Sequence, residues 1–136
     1  MITHRVLFSA ALLSAFTAAV HTIGGTYEIH GPLLDSPLAE SISLLLYACW
    51  HLVTVTLTLS AAALFWSSRN NRAQSNFALP AFIGLLWIIF GIVFIFVALY
   101  FSGIQALITL PQWTLLIPIG GLALFGVRKE IRFNLS

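Results

Sequence analysis

A chain of 136 residues that is 60% hydrophobic and only 7% charged is too apolar for a soluble domain, which carries about 25% charged residues. A small soluble domain buries only about two-thirds of its surface, so the solvent for most of this chain must be a bilayer. The net charge of +2 is too small and dispersed to indicate a nucleic-acid partner, and one cysteine excludes a disulfide framework. That cysteine, Cys49, lies in an apolar run and is predicted to be a small buried hydrophobe.

Four apolar stretches meet the length of about 20 residues that is needed to cross hydrocarbon. They predict an all-α fold, a four-transmembrane-helix bundle that forms a single integral membrane domain over residues 1–136. The predicted spans are residues 6–25, 39–67, 77–101 and 111–127. The second span is longer than the bilayer requires, so its outer end is predicted to protrude or the helix to tilt.

The segments that border these spans carry further predictions. Residues 103–110 are too short to cross, and a re-entrant segment and a plain loop in the headgroups both stay open. Pro111 suits the first turn of the fourth helix, and Pro118 inside that helix predicts a kink. We interpret residues 1–20 as a retained helix, because Ala18-Ala19-Val20 is a poor cleavage context for a signal peptide.

The charged residues predict the orientation of the chain. All basic residues fall on one side of the predicted topology, and the carboxylates between the first two spans fall on the other. Positive residues are retained in the cytoplasm during insertion, so both termini are predicted to be cytoplasmic. The basic residues are Arg5, Arg69, Arg72, Arg128, Lys129 and Arg132, and the carboxylates on the opposite side are Glu28, Asp35 and Glu40.

Polar side chains inside apolar spans are costly, and each is a functional hypothesis. Two helix faces carry them at helical spacing, and the two faces are predicted to meet in the bundle, because polar side chains avoid lipid. A short non-cytoplasmic loop, Thr26 to Pro32, connects the two helices and carries Glu28 and His30. The first face holds Ser14, Thr17 and His21, and the second holds Glu40, Ser43, Tyr47, His51, Thr54 and Thr58.

This arrangement predicts a polar pocket on the periplasmic side that binds a metal ion. Imidazoles with a carboxylate suit Zn²⁺, Cu²⁺ or non-haem iron. The candidate ligands are His21, Glu28, His30 and His51, supported by Glu40, Tyr47 and Thr17. His51 lies about 16 Å beyond Glu40 along a helix, so it reaches the depth of His21 only if the second helix protrudes by about two turns.

Other interpretations of the same residues stay open. His21 and His51 could ligate haem across the bundle, although their predicted depths differ. Alternatively, the polar seam only fixes helix register, with His21 bonded to Tyr47 or the Gly24-Gly25 backbone and His51 bonded to Thr17 or Ser14. No catalytic triad, phosphate loop or nucleotide fingerprint is present, so catalytic residues are not assigned.

Two alternative functions follow from other features of the chain. A non-catalytic accessory subunit of a larger membrane complex would fit the small size, the short loops and the aromatic third helix, and a homo-oligomer is a further possible assembly. On that helix a bulky face is predicted to meet lipid or another protein, and it consists of Trp87, Phe90, Phe94 and Phe101. A small-solute or proton pathway would follow the polar stripes, which fade beyond Thr58. The bilayer is the partner in all three interpretations.

The run from His21 to Leu34, followed by Ala48-Cys49-Trp50-His51, resembles a family of small four-helix bacterial inner-membrane proteins of uncharacterised activity. The resemblance spans most of the chain. It implies a bacterial inner-membrane location and assigns no activity.

Overall fold

The structure, a computed structural model, describes residues 4–69 and 77–134, with side chains up to residue 129, and all regular secondary structure in these residues is helical. This confirms the predicted all-α class. The elements are α1 (Arg5–Gly25), a π-helical turn (Thr26–His30), α2 (Gly31–Leu34), α3 (Glu40–Arg69), α4 (Ala78–Ser102), α5 (Ala106–Thr109) and α6 (Trp113–Asn134).

Among the described residues, three helices are long and apolar enough to cross a membrane: the continuous helix Arg5–Leu34, α3 and α4. The last two match the predicted spans 39–67 and 77–101 within two residues at each end. The first is 30 residues long and runs well past the predicted end at residue 25. The fourth prediction, residues 111–127, falls on α6, which begins at Trp113 and continues through Pro118.

The prediction of a loop from Thr26 to Pro32 is wrong, because this stretch is helical. Gly31 has φ −57° and ψ −59°, an ordinary right-handed helical conformation that does not form a turn. The π-helical turn directly precedes Pro32. A proline ring in a helix clashes with the carbonyl four residues earlier, and a wider turn at that point relieves the clash.

The long helices are antiparallel neighbours, and three contacts define their register. The backbone N–H of His4 donates to the Ser68 carbonyl at 3.2 Å, which joins the start of α1 to the end of α3. In the same pair the Ser14 hydroxyl donates to the Leu57 carbonyl at 3.4 Å. α1 also contacts α6, since a Cβ at Gly126 would lie 2.8 Å from Leu7 Cδ2. α1 therefore lies between α3 and α6, and α6 packs in turn on α4.

The α4–α6 interface depends on glycines that let the backbones approach closely. A Cβ at Gly120 would lie 2.5 Å from the Gly84 carbonyl oxygen, and one at Gly91 would lie 2.5 Å from Ile117 Cγ1. Dispersion contacts of this kind drive helix association where lipid removes the hydrophobic driving force. At Gly84, Gly91 and Gly120 a larger side chain would therefore push the two helices apart.

Two predictions about exposure are wrong. Trp87 does not face lipid: it is fully buried at the centre of the bundle, and Phe90 and Phe94 pack against the same core, while Phe101 is exposed. Cys49 is exposed, because it lies on the outward side of α3.

Charged side chains separate to the two ends of the bundle. The end that holds Arg5, Arg69, Arg128 and Lys129 is called the basic end here. The end that holds Glu28, Asp35 and Glu40 is called the acidic end. The α1–α2 and α3 helices run the full distance between them. Arg72 lies outside the described residues.

Candidate functional site

Three of the four histidines gather around one indole in the acidic half of the bundle. The His21 ring stacks on Trp50 with centroids 4.9 Å apart and an interplanar angle of 24°. The His30 ring is nearly parallel to the same indole at 6.0 Å, and His51 meets it edge-on at 5.0 Å. Tyr47 stacks on His30 at 4.7 Å and meets His51 edge-on at 4.5 Å. These five residues are called the ring cluster below.

The face that α3 presents to α1 explains why Trp50 is central. Residues that are buried or half-buried recur at spacings of three and four along α3, and Trp50 belongs to that series. His51 lies about 100° further round the helix and is exposed. The predicted inward stripe on this helix is therefore wrong in part, since Ser43 is buried but Glu40, His51 and Thr58 are exposed. The inward series is Ser43, Tyr47, Trp50, Thr54, Leu57, Ala61, Leu64 and Ser68.

His21 is held by the backbone of the opposite helix. Its Nε2 lies 3.3 Å from the Trp50 carbonyl oxygen, which can only accept, so Nε2 carries the proton when this bond forms. The neutral ring then keeps a lone pair on Nδ1. The alternative partners predicted for His21, Tyr47 and the Gly24-Gly25 backbone, are not the ones observed.

The hydroxyls below His21 have partners of their own. Ser14 donates to the Leu57 carbonyl, and Thr17 donates to the Leu13 carbonyl at 2.8 Å. The predicted hydrogen bonds from His51 to these two residues are therefore not the ones observed. Both hydroxyls are buried, as expected for an inward face of α1.

The π-helical turn brings His30 into the cluster. In an unbroken α-helix His30 would lie nine residues, or about two and a half turns, beyond His21 and so on the opposite face. A π turn holds more residues per turn than an α turn and rotates His30 back toward α3. There its ring contacts Tyr47 and Trp50, and its Nε2 is buried without a hydrogen-bond partner. π turns of this kind are frequent at functional sites.

The two histidines that were predicted to differ in depth lie at similar depths. His21 is 13 residues before the end of α2 at Leu34, about 20 Å, and His51 is about 16 Å beyond the start of α3 at Glu40. Both helices therefore extend a similar distance beyond these histidines. The shared contact with Trp50 places both rings at one level.

The other predicted site residues lie outside the ring cluster. Glu28 and Glu40 are exposed at the acidic end, and Thr17 is buried one turn below His21. Within residues 4–69 and 77–134, no group of three or more His, Cys, Asp or Glu side chains is arranged to hold a metal ion. The imidazoles surround an indole and do not converge on one point. Metal binding by His21, Glu28, His30 and His51 therefore stays a prediction.

Sequence reasoning missed the central position of Trp50, which is not among the predicted site residues. Inward-facing residues of α3 recur at alternating spacings of three and four. When this series is followed from Leu57 and Ala61 back to Ser43, it includes Trp50, and that is the signal in the sequence. The π turn has no comparable signal, because Gly31-Pro32 is more typical of a chain reversal.

Comparisons with protein-family models, with curated proteins and with solved structures find no match to this chain. The resemblance to small bacterial inner-membrane proteins stays a prediction.

Proposed function

We propose that this chain is a four-span inner-membrane protein of bacterial type that binds a transition metal at its periplasmic side, with His21, His30 and His51 as ligands. The observation that carries the proposal is the contact between His21 Nε2 and the Trp50 carbonyl oxygen at 3.3 Å. Metal-ligating histidines usually donate their other ring N–H to a carbonyl or carboxylate, which fixes the tautomer and raises ligand basicity. His21 has this arrangement, with Nδ1 left as the ligating atom.

The other two imidazoles support the same chemistry. His30 has a buried Nε2 without a protein partner, which is costly in a site surrounded by lipid and is relieved by a ligand. His51 meets the same indole edge-on, and its ring is exposed. Imidazole ligands suit zinc, copper and iron, and Glu28 on the π turn would add a carboxylate oxygen. Tyr47 touches two of the three imidazoles and would orient them.

Four spans with cytoplasmic termini are part of the proposal. α6 is apolar from Trp113 to Val127 and packs against both α4 and α1 along this stretch. With four spans both termini belong to the same side, which agrees with Arg5 and Arg128 lying at one end. The positive-inside rule makes that end cytoplasmic.

Elemental analysis of the detergent-purified protein tests the metal proposal. We expect zinc, copper or iron near one equivalent per chain, and its loss in His21→Ala, His30→Ala and His51→Ala. Glu28→Gln should weaken retention, whereas Asp35→Asn at the same exposed end is the matched control and should not. The proposal would be overturned if the wild-type protein purifies without metal and its thermal stability does not change when Zn²⁺, Cu²⁺ or Fe²⁺ is added.

The other interpretations have less support. The accessory-subunit hypothesis was based on the small size, the short loops and the aromatic face of α4, and of that face Trp87 is buried while Phe101 is exposed. The pathway hypothesis needs hydroxyls that are available to a solute, whereas Thr54 and Thr58 donate to carbonyls of their own helix at 3.2 and 2.8 Å. Both stay predictions, as does bis-histidine haem ligation.

A further inference from the structure

The chain that connects α4 to α6, residues 103–113, exposes large apolar side chains at the acidic end of the bundle. Ile104 is 75% exposed and Ile108 is 84% exposed. The connection contains no charged residue, whereas the α2–α3 connection at the same end begins at Asp35 and leads into Glu40. Leaving two isoleucines in water is unfavourable, so this surface is suited to apolar surroundings. Residues 103–113 are called the returning segment below.

A glycine and a set of hydrogen bonds fix the conformation of the returning segment. Gly103 ends α4 with φ 75° and ψ −173°, a backbone conformation that is essentially restricted to glycine. The Leu110 N–H donates to the Ala106 carbonyl at 2.8 Å. The Trp113 indole donates to the Leu107 carbonyl at 3.2 Å, which ties the segment to the start of α6. Backbone groups without such partners would be costly next to lipid.

The side chains around α5 are divided into a buried, an apolar and a polar face. Ala106 is buried, and α5 packs on α4. Ile104 and Ile108 are four residues apart, so they share one face of a helical turn. Gln105 and Thr109 are also exposed and share the neighbouring face for the same reason. An exposed surface with separate apolar and polar faces is typical of a segment at the boundary between acyl chains and headgroups.

The length of α4 places the start of the returning segment at this boundary. A helix of 25 residues is about 37 Å long, and the hydrocarbon core is about 30 Å thick, so a centred α4 ends in the headgroup layer. Tyr100, in the last turn of α4, is 71% exposed and stacks on the exposed Phe96 with centroids 5.6 Å apart. Tyrosine is enriched at this level of the bilayer. The exposed apolar surface of α4 thus continues along the chain into Ile104, two residues beyond its end.

We propose that the returning segment lies in the headgroup layer at the acidic end and binds lipid, with Ile104 and Ile108 inserted among the acyl chains. Gln105 and Thr109 then face the headgroups and water. Lipid is the partner because the surface continues the exposed apolar side of a membrane-spanning helix and offers no charged group to a partner protein. The segment neither re-enters the hydrocarbon core nor stands in water. This inference is independent of the proposed metal site.

Spin labels in reconstituted vesicles test this placement. In a Cys49→Ala background, which removes the single native cysteine, one nitroxide is attached at Ile104→Cys, Ile108→Cys or Gln105→Cys. The vesicles contain phosphatidylethanolamine and phosphatidylglycerol. Oxygen, which concentrates among acyl chains, should relax the two labels at the isoleucine positions more than nickel-EDDA, which stays in water. Nickel-EDDA should have a larger effect on the label at Gln105→Cys than on either of the other two.

Two control positions calibrate the depth of the labels. Asp35→Cys, in the other connection at the acidic end, should respond mainly to nickel-EDDA, and Ile92→Cys, on the exposed side of α4, mainly to oxygen. The inference is overturned if the labels at Ile104→Cys and Ile108→Cys respond like the one at Asp35→Cys, which indicates a loop in water. Labels as deep as the one at Ile92→Cys indicate a re-entrant segment and also overturn it. Labels that neither reagent reaches indicate a covering protein or a second copy, with the same consequence.

The unlabelled cysteine variants give a second readout that does not depend on the nitroxide. The thiolate is the form that reacts with maleimides, and a thiol among acyl chains forms little of it. In vesicles, an impermeant maleimide should therefore react more slowly with Ile108→Cys than with Gln105→Cys. In protein unfolded by SDS the two rates should be equal. Equal rates in the folded, vesicle-bound protein would contradict the placement of Ile108 in lipid.

Discussion

The indole of Trp50 lies directly against the α1 backbone at Gly25. A Cβ at Gly25 would come 3.1 Å from Trp50 Nε1 and 3.2 Å from Cζ2, which is tighter than ordinary van der Waals contact. A Cβ at the preceding residue, Gly24, would meet nothing within 4 Å. Alanine substitutions at these adjacent glycines can therefore be compared: both add a methyl group to the helix, but only the one at Gly25 touches the ring cluster.

Gly25→Ala is expected to displace the Trp50 ring by a few tenths of an ångström and to disturb its stacking on His21. The near-ultraviolet circular dichroism of the aromatic rings should change, and metal retention should fall. Gly24→Ala should leave both unchanged and raise stability by up to about 1 kcal/mol, since alanine is the better helix former. Equal spectra for the two variants would contradict this placement of Trp50.

Pro32→Ala tests whether the π-helical turn positions His30. Without the proline ring the clash with the preceding turn disappears, and the chain can return to regular α geometry. His30 would then rotate away from Tyr47 and Trp50. The expected result is a folded, helical protein with reduced metal content, measured by far-ultraviolet circular dichroism and elemental analysis. The control is Pro37→Ala in the connection between α2 and α3, which should match the wild type.

Much of the fold could be predicted because bilayer length and hydrophobic runs constrain helices directly. Spans 39–67 and 77–101 are close to α3 and α4, and the glycines of the α4–α6 interface follow from the packing rule for helices in lipid. The first helix was truncated in the prediction because Gly24-Gly25 and Gly31-Pro32 favour turns in isolation. In the folded protein the α3 helix packs beside this stretch and helical geometry prevails.

The sequence predicted that three histidines would lie close together, but it did not predict how their rings are arranged. His21, His30 and His51 do lie together, as their positions on two neighbouring helices suggested. Their arrangement around Trp50 depends on which face of α3 points toward α1 and on the π turn. Both features are set by packing between helices, and neither is encoded in a local motif.

The α4–α6 interface offers a second matched pair of glycines. Gly120→Ala places a methyl group 2.5 Å from the Gly84 carbonyl oxygen and 2.6 Å from Ile88 Cγ1, so the helices must separate. We expect a loss of about 1–3 kcal/mol, the usual cost of overpacking. Gly121→Ala, where a Cβ would meet nothing within 4 Å, should be neutral or slightly stabilising. Unfolding by titration with SDS measures the difference, and equal stabilities would contradict the close approach.

The number of spans is tested by labelling one cysteine at each end of the bundle. Asp35 follows α2 and Lys129 lies in the last part of α6, and both side chains are exposed. In the Cys49→Ala background, an impermeant maleimide applied to intact cells should label Asp35→Cys. It should label Lys129→Cys only after the membrane is permeabilised. The two positions are separated by α3, α4 and α6, so they lie on opposite sides if all three helices cross. If α6 did not cross, both cysteines would react from the same side, and the four-span proposal would fail while the three apolar helices remained.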